Sequence, residues 1–178
     1  EDGAHVKPGD IAFEVEGSVR SLLQTERTML NIMQRMSGIA TVTAEYQKRL
    51  AGLKTKVLAT RKTPPGLSVL EKEAVKTGGG ANHRMGLHDM ILIKDNHVDF
   101  AGGITKAVDA AKKYCRETGR DLKIEVEVRN TDEINEALAA GIDRIMLDNF
   151  TPERTREAVA LINGRTEIES SGGITLET

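Results

Sequence analysis

The chain has 178 residues, enough for one sizeable domain or slightly more, and its 39% hydrophobic and 29% charged residues are ordinary for a globular protein. A formal charge of -2 excludes a global basic field for nucleic acid, a single cysteine excludes an intrachain disulfide, and no apolar run approaches the roughly 20 residues of a membrane span. We therefore expect a cytoplasmic protein without a nucleic-acid or membrane partner.

The predicted elements begin with residues 1–20, which read as irregular or short-strand structure. Residues 21–50 carry apolar side chains at helical spacings, and Ser37-Gly38 is expected to interrupt or kink this helix. Five strands then alternate with helices, and the strands are KVLAT (56–60), DMILIKD (89–95), LKIEVEV (122–128), DRIMLDN (143–149) and TEIESS (166–171). The helices are LSVLEKEAVKTGG (67–79), GGITKAVDAAKKYCRETG (102–119), NTDEINEALAAG (130–141), TPERTREAVALING (151–164) and the start of one in GGITLET (172–178).

This alternation predicts right-handed βαβ units and a parallel α/β fold, either an open doubly wound sheet or a barrel. Polar residues follow all five strands at their carboxyl ends, and a barrel gathers all such ends around one mouth, whereas an open sheet gathers only those at its switch point. The pattern therefore favours a barrel. Five strands make an unusually small barrel and the last helix has only begun, so we expect the native protein to continue beyond this chain.

A group of basic residues lies around the first two predicted strands: Arg61, Lys62, His83, Arg84 and Lys94. Lysine and arginine in loops are usually only solvated, but this set on neighbouring strands favours a substrate with several anionic groups. The glycines of TGGGAN are expected to let the backbone bring His83 and Arg84 close to such an anion.

Acidic residues follow on the later strands. Glu125 and Glu127 alternate on one face of IEVEV, which is the interior face in a barrel, and Asp148 ends the next strand. Inward carboxylates are costly without a cation, so Mg²⁺ bound by Glu127 and Asp148 is one expectation. An internal salt bridge with Lys62 or Lys94 is the other, and the two are compatible.

Glycines and histidines give weaker signals. SSGGIT follows a strand at a predicted helix start and favours phosphate binding, whereas AGGIT is more typical of a turn. The histidines His83, His88 and His97 lack the cysteine or i,i+4 partners of a zinc site, and Cys115, placed mid-helix, is interpreted as core.

Six segments in this order resemble quinolinate phosphoribosyltransferase, the decarboxylating enzyme family of NAD synthesis: ERTMLNIMQRMSGIAT, LATRKTPPGL, GGGANHRMGLHDMILIKDNH, IEVEV, LDNF and ESSGGI. The resemblance covers nearly the whole chain. It implies an N-terminal α/β sandwich domain, here partial over residues 1–50, and an incomplete parallel α/β barrel over residues 51–178 that lacks its last strands. It also implies a homodimer with shared active sites, and leaves a hexamer of dimers open as a larger assembly.

The resemblance assigns roles to individual residues. The implied ligands of quinolinate and of the donor, 5-phosphoribosyl 1-diphosphate, are Thr60, Arg61, Lys62, His83, Arg84 and Lys94, with Lys62 and Lys94 also catalytic. Glu127 and Asp148 resemble the acidic pair near the ribose and Mg²⁺, and Glu125 is left as a supporting residue. Ser171, Gly172 and Gly173 resemble the 5′-phosphate loop, and Arg27 resembles an arginine that reaches the partner subunit's site.

Two alternatives to this activity stay open. One is a sister type II phosphoribosyltransferase that acts on another pyridine carboxylate without releasing CO₂. The other is a non-catalytic phosphate-binding or scaffold protein, against which the retention of the basic and acidic site residues counts.

Overall fold

The computed structural model describes all 178 residues, Glu1–Thr178, and divides into two compact units, residues 1–84 and residues 85–178. The first unit contains α1 (Val19–Arg49), β1 (Leu58–Ala59), α2 (Ser68–Thr77) and β2 (Ala81–Asn82). The second contains β3 (Ile91–Ile93), α3 (Asp95–Ala101), α4 (Ile104–Thr118), β4 (Ile124–Val128), α5 (Thr131–Ala140), β5 (Arg144–Asp148), α6 (Pro152–Ile162) and β6 (Glu167–Ser171). No helix in the chain combines the length and the apolar character needed to cross a membrane.

Helix α1 runs for 31 residues without a break, after an irregular segment before residue 19. The expected interruption at Ser37-Gly38 is therefore wrong. Glycine costs a helix only about 1 kcal/mol relative to alanine. The partly buried side chains of Met36, Ile39 and Ala40 continue the apolar stripe across the Ser-Gly pair, and packing of such a stripe, more than propensity, stabilises a helix.

The three glycines Gly78–Gly80 belong to a tight turn between α2 and β2, a short strand that the sequence did not predict. Strand β2 pairs in parallel with β1, with Leu58 opposite Ala81. A Cβ added at Gly78 would lie 2.7 Å from the Thr43 Cβ, and one at Gly80 would lie 2.7 Å from Val75 Cγ1. Gly78 and Gly80 are thus required by close packing against α1 and α2, and Gly79 is favoured by its φ of 87°. These reasons differ from the predicted approach to an anion.

The second unit is built on one parallel sheet in the order β3-β4-β5-β6, which confirms the predicted parallel α/β fold. These four strands do not close into a barrel, in keeping with an incomplete one. Their apolar face packs with the helices into an aliphatic core that includes Val108, Val126, Ile134, Leu147 and Ile162. Cys115 of α4 is partly buried.

The helix ends follow their sequence signals. Asn130 caps α5 by accepting the N–H of Glu133, and Thr151 caps α6 by accepting the N–H of Arg154, with Pro152 in the first turn. Two expectations fail. Helix α3 begins at Asp95, which was predicted to end a strand, and continues through residues 96–101, for which no element was predicted, and residues 172–178 form no helix. Gly172 and Gly173 have φ values of 89° and 65°, which lie outside the right-handed helical region.

Candidate active site

Strands β4, β5 and β6 carry charged side chains on the sheet face opposite the core. The parallel register places Glu125 beside Arg144 and Arg144 beside Glu167. One step further along the strands, Glu127 and Glu169 flank Met146. Since successive side chains alternate between the two faces, Glu125 and Glu127 share this polar face as predicted.

Arg144 is the cation that offsets the acidic residues of this face, and the sequence did not single it out. Its guanidinium Nη2 lies 2.7 Å from Glu167 Oε2, and its Nη1 lies 3.5 Å from Glu169 Oε2 and 3.9 Å from Glu125 Oε2. Burial by itself lowers the pKa of Arg144, but the hydrogen bonds that Arg144 donates to Glu167 and the charges of the three carboxylates outweigh it and raise the pKa above its ordinary value. The fully buried Glu125 therefore has an ion-pair partner in Arg144, a residue that the sequence did not suggest for this role.

Replacing Arg144 by methionine is expected to lower the free energy of unfolding by about 3 kcal/mol, because it removes a cation from among buried carboxylates. Lys123 offers the matched control, since it also pairs with Glu167 but both side chains are more than half exposed. Lys123→Met should change stability by at most about 1 kcal/mol. Urea unfolding of both variants measures this, and equal losses would contradict a special role for Arg144.

Three predicted site residues meet at the carboxyl ends of β3, β4 and β5. Lys94 Nζ lies 3.8 Å from Glu127 Oε2, and Asp148 ends the strand beside β4. Burial raises the pKa of Glu127 above its ordinary value, the Lys94 ammonium acts against this, and the charge of Asp148 adds to the rise. The ammonium and the two carboxylates therefore interact electrostatically, and we call Lys94, Glu127 and Asp148 the strand-end triad.

The loop after β6 lies next to this triad through β5. Asp148 and Ser171 are register partners, and the backbone N–H of Asn149 donates to the Ser171 carbonyl at 2.8 Å. The Asn149 side chain donates to Asp148 Oδ2 at 2.9 Å. The structure thus brings the predicted Ser171, Gly172 and Gly173 to the end of the strand that carries Asp148, and it adds Asn149, for which the sequence indicated no role beyond its place at the end of a predicted strand.

The remaining predicted residues lie in the first unit, after its two short strands. Thr60, Arg61 and Lys62 are exposed after β1, whereas His83 and Arg84 are partly buried after β2. The His83 N–H donates to the Ala59 carbonyl at 3.2 Å, so the two segments leave their strands side by side.

Lys72 of α2 supports the segment after β2, and no sequence pattern pointed to it. Its side chain is 1% exposed, and its Nζ donates to the Arg84 carbonyl at 2.9 Å. A buried lysine is rare unless it is paired, so this contact fixes the backbone from which the Arg84 side chain projects. Arg27, by contrast, lies exposed on α1, and its side chain makes no hydrogen bond or ion pair within the chain.

Two of the three clustered histidines lie against local backbone. His97 Nδ1 accepts the N–H of Lys94 at 3.0 Å, which fixes the start of α3 and the main chain of Lys94. The His88 ring lies against Gly86, where an added Cβ would be 2.6 Å from its Nδ1. Neither role was visible in the sequence, because each depends on the path of the loop.

The chemistry of the triad fits a divalent cation. Glu127 and Asp148 offer the carboxylate oxygens that Mg²⁺ prefers. Burial is the main cause of the raised pKa of Glu127 and the charge of Asp148 adds to it, and a bound cation would offset both effects. The ammonium of Lys94, 3.8 Å from Glu127 Oε2, is a competing positive charge. This favours contact of Mg²⁺ with the carboxylates through water or through phosphate oxygens.

Comparison with known families gives two matches that together span the chain. Residues 39–178 match the family model for the C-terminal domain of quinolinate phosphoribosyl transferase, and residues 1–37 match the model for its N-terminal domain.

Individual relatives agree with these matches. The probable nicotinate-nucleotide pyrophosphorylase [carboxylating] of Bacillus subtilis is 45% identical over 99% of this chain and 60% of its own length. The chloroplastic nicotinate-nucleotide pyrophosphorylase [carboxylating] of Arabidopsis thaliana is 44% identical over 99% of this chain and 55% of its own length. The chain therefore spans between about half and three fifths of the length of these relatives.

Solved structures give the same result. NadC from Streptococcus pyogenes is 46% identical, with a TM-score of 0.92 over 100% of this chain and 61% of that protein. The nicotinate-nucleotide pyrophosphorylase from Francisella tularensis is 51% identical, with a TM-score of 0.81 over 88% of this chain and 54% of that protein.

Proposed function

Because this chain belongs to the quinolinate phosphoribosyltransferase family, we propose that the full-length protein transfers the phosphoribosyl group of 5-phosphoribosyl 1-diphosphate to quinolinate with decarboxylation. The products are nicotinate mononucleotide, CO₂ and diphosphate, in NAD biosynthesis. The observation that supports this most directly is the strand-end triad, which places an ammonium and two carboxylates at the ends of neighbouring parallel strands. That combination suits an anionic substrate whose reaction passes through a cationic sugar.

The basic residues bind the two substrates. Quinolinate is a dianion and the donor is more negative still, so bringing them together requires cations. We assign substrate binding to Thr60, Arg61, Lys62, His83, Arg84 and Lys94, and the donor's 5′-phosphate to Ser171, Gly172 and Gly173. Holding both reactants in a reactive orientation contributes up to roughly 7–11 kcal/mol in ideal cases.

The acidic residues act on the ribose. As the bond from C1 to diphosphate breaks, positive charge develops on the ring, and the preorganised carboxylates of Glu127 and Asp148 stabilise it. The pyridine nitrogen of quinolinate then forms the new bond to C1. The resulting pyridinium withdraws electrons from C2, whose carboxylate leaves as CO₂ while C2 takes up a proton. No covalent enzyme intermediate is required.

Mg²⁺ is the proposed cofactor, and Glu127 and Asp148 are the residues that would hold it. When bound, it neutralises charge on the diphosphate group. Lys94, beside Glu127, supplies a fixed positive charge at the same place, so the chain itself contributes part of this neutralisation.

We also propose a cytoplasmic homodimer in which Arg27 of one subunit completes the site of the other. The exposed Arg27 side chain and the neighbouring apolar surface of α1 support this. Met29, Ile32 and Met33 line a shallow concavity of about 420 Å³, and Leu23 on the same helix is 71% exposed. Apolar surface of this kind is typical of subunit interfaces.

The test of the activity is to incubate the full-length protein with quinolinate, the phosphoribosyl donor and Mg²⁺ and to measure nicotinate mononucleotide and CO₂. Product without CO₂ would point to the non-decarboxylating sister activity. Binding by calorimetry without any turnover would point to a scaffold protein.

Quinolinate binding is expected to depend on Arg61 and Arg84. Each charge-assisted hydrogen bond contributes about 1.5–3 kcal/mol, so Arg61→Ala and Arg84→Ala should each weaken binding by about tenfold or more. Calorimetry of the full-length protein measures this, with Arg120→Ala as the control because Arg120 is exposed in the loop after α4. Unchanged affinity in both site variants would mean that the carboxylates bind elsewhere.

A further inference from the structure

Asn149 has an unusual backbone conformation that the fold alone does not explain. It and Asn163 are the two non-glycine residues with positive φ, at 52° and 47°. Asn163 is the C-cap of α6, where a left-handed residue is common. Asn149 caps no helix, because Thr151 is the N-cap of α6 and Asn149 lies between it and the end of β5. Glycine adopts this conformation without strain, so an asparagine here calls for a role of its side chain.

That side chain is in contact with two segments of the proposed site. Its Nδ2 donates to Asp148 Oδ2 at 2.9 Å, which fixes the orientation of that carboxylate. Its Oδ1 lies so close to Gly172 that a Cβ at Gly172 would overlap it, and the same Cβ would be 2.6 Å from the Asn149 Cγ. The left-handed backbone in turn directs the Asn149 N–H to the Ser171 carbonyl at 2.8 Å.

We infer that Asn149 is a positioning residue that joins the Asp148 carboxylate to the Ser171–Gly173 loop, so that the group acting on the ribose and the loop binding the 5′-phosphate keep a fixed separation. This inference rests on the proposed function. The donor carries both its ribose and its 5′-phosphate in one molecule, so the distance between their two binding groups decides how well C1 is placed for reaction.

Because of where Asn149 lies, its positioning role can be tested separately from the stability of the fold. The residue is exposed and lies outside the aliphatic core. Its side chain can therefore be removed without opening a cavity, and glycine at this position keeps the backbone conformation. Asn149→Gly should consequently fold as the wild type does while losing both side-chain contacts.

The experiment compares Asn149→Gly with Asn163→Gly in the full-length protein. Both substitutions replace a left-handed asparagine by glycine, but only Asn149 contacts the proposed site. Asn149→Gly should lower kcat/KM for the phosphoribosyl donor by about tenfold, the value of one hydrogen bond to a charged group, with quinolinate affinity unchanged. Asn163→Gly should leave both quantities unchanged. Asn149→Asp, which keeps the shape but puts an oxygen beside the Asp148 carboxylate, should lose at least as much as Asn149→Gly.

A crystal structure of ligand-free Asn149→Gly provides a readout that does not depend on the activity. The Asp148 carboxylate should rotate or the Ser171–Gly173 loop should shift relative to wild type. An unchanged structure overturns the positioning role, whatever the kinetics, and so does a changed structure with unchanged donor kinetics. If the wild-type protein itself makes no nicotinate mononucleotide, the proposed function fails, and the two structures still decide whether Asn149 holds Asp148 and the loop together.

Discussion

Replacing Glu127 by glutamine in the full-length protein is expected to lower turnover by about 100-fold or more. Removing one preorganised group that stabilises transition-state charge typically costs this much. Glutamine retains the size of the side chain and its capacity to accept a hydrogen bond, so the loss reports the missing negative charge. Steady-state kinetics with both substrates varied measures it, and quinolinate affinity should change little.

The matched control is Glu117→Gln, since Glu117 is exposed on α4 and pairs only with Lys113 one turn earlier. This variant should keep wild-type turnover. A collapse of quinolinate affinity in Glu127→Gln, with turnover at saturation preserved, would reverse the assignment of Glu127 to the ribose.

The same substitution should make the free protein more stable at pH 7. Because the pKa of Glu127 in the folded protein is raised above its ordinary value of 4.5, its proton stabilises the fold below that value, and this contribution is lost as the pH rises through the folded pKa. Glutamine avoids the cost of the buried charge. The unfolding temperature of Glu127→Gln should therefore exceed that of wild type at pH 7, and the difference should close as the pH falls toward 4. Opposite effects on stability and turnover are the pattern expected of a functional group.

The sequence predicted the elements whose signals are local. Helices α4, α5 and α6 were recognised from apolar spacing, from the glycines that follow α4 and α5, and from Thr151-Pro152 at the start of α6. Strands β4 and β5 were recognised from short β-branched and aliphatic runs. Because the strands are parallel, their carboxyl ends share one edge, and this is why Lys94, Glu127 and Asp148 could be grouped before their contacts were known.

The structural features that the sequence did not predict depend on contacts between residues that are distant in the chain. Strand β2 has two residues and exists only by pairing with β1, so its propensity is too weak to detect. The role of Arg144 depends on register, which sets it between Glu125 and Glu167. Lys72 could not be distinguished from the exposed Lys76 of the same helix, since the partner of its ammonium, the Arg84 carbonyl, lies twelve residues further along the chain.

Arg27 shows where geometry within one chain stops being informative. Its exposure on α1 fits both a solvated helix residue and a residue that contacts a second subunit. The resemblance favours the second role. The two roles predict opposite results when two inactive variants are mixed. We expect Arg27→Ala and Lys62→Ala to be inactive as separate full-length proteins.

Mixing these two variants and allowing subunits to exchange should restore activity. If each site uses Lys62 of one subunit and Arg27 of its partner, a heterodimer contains one site with both native residues and one site with neither. At equal mixing about half of the dimers are heterodimers, so the ceiling is about a quarter of wild-type activity for a symmetric two-fold pairing. The control is a mixture of Arg27→Ala with an Arg27→Ala, Lys62→Ala double variant, in which no combination of subunits supplies a native Arg27, so its activity should stay at the background level. Mass spectrometry confirms exchange in both mixtures, and exchange without recovery in the first would mean that Arg27 acts within its own chain or has no part in the reaction.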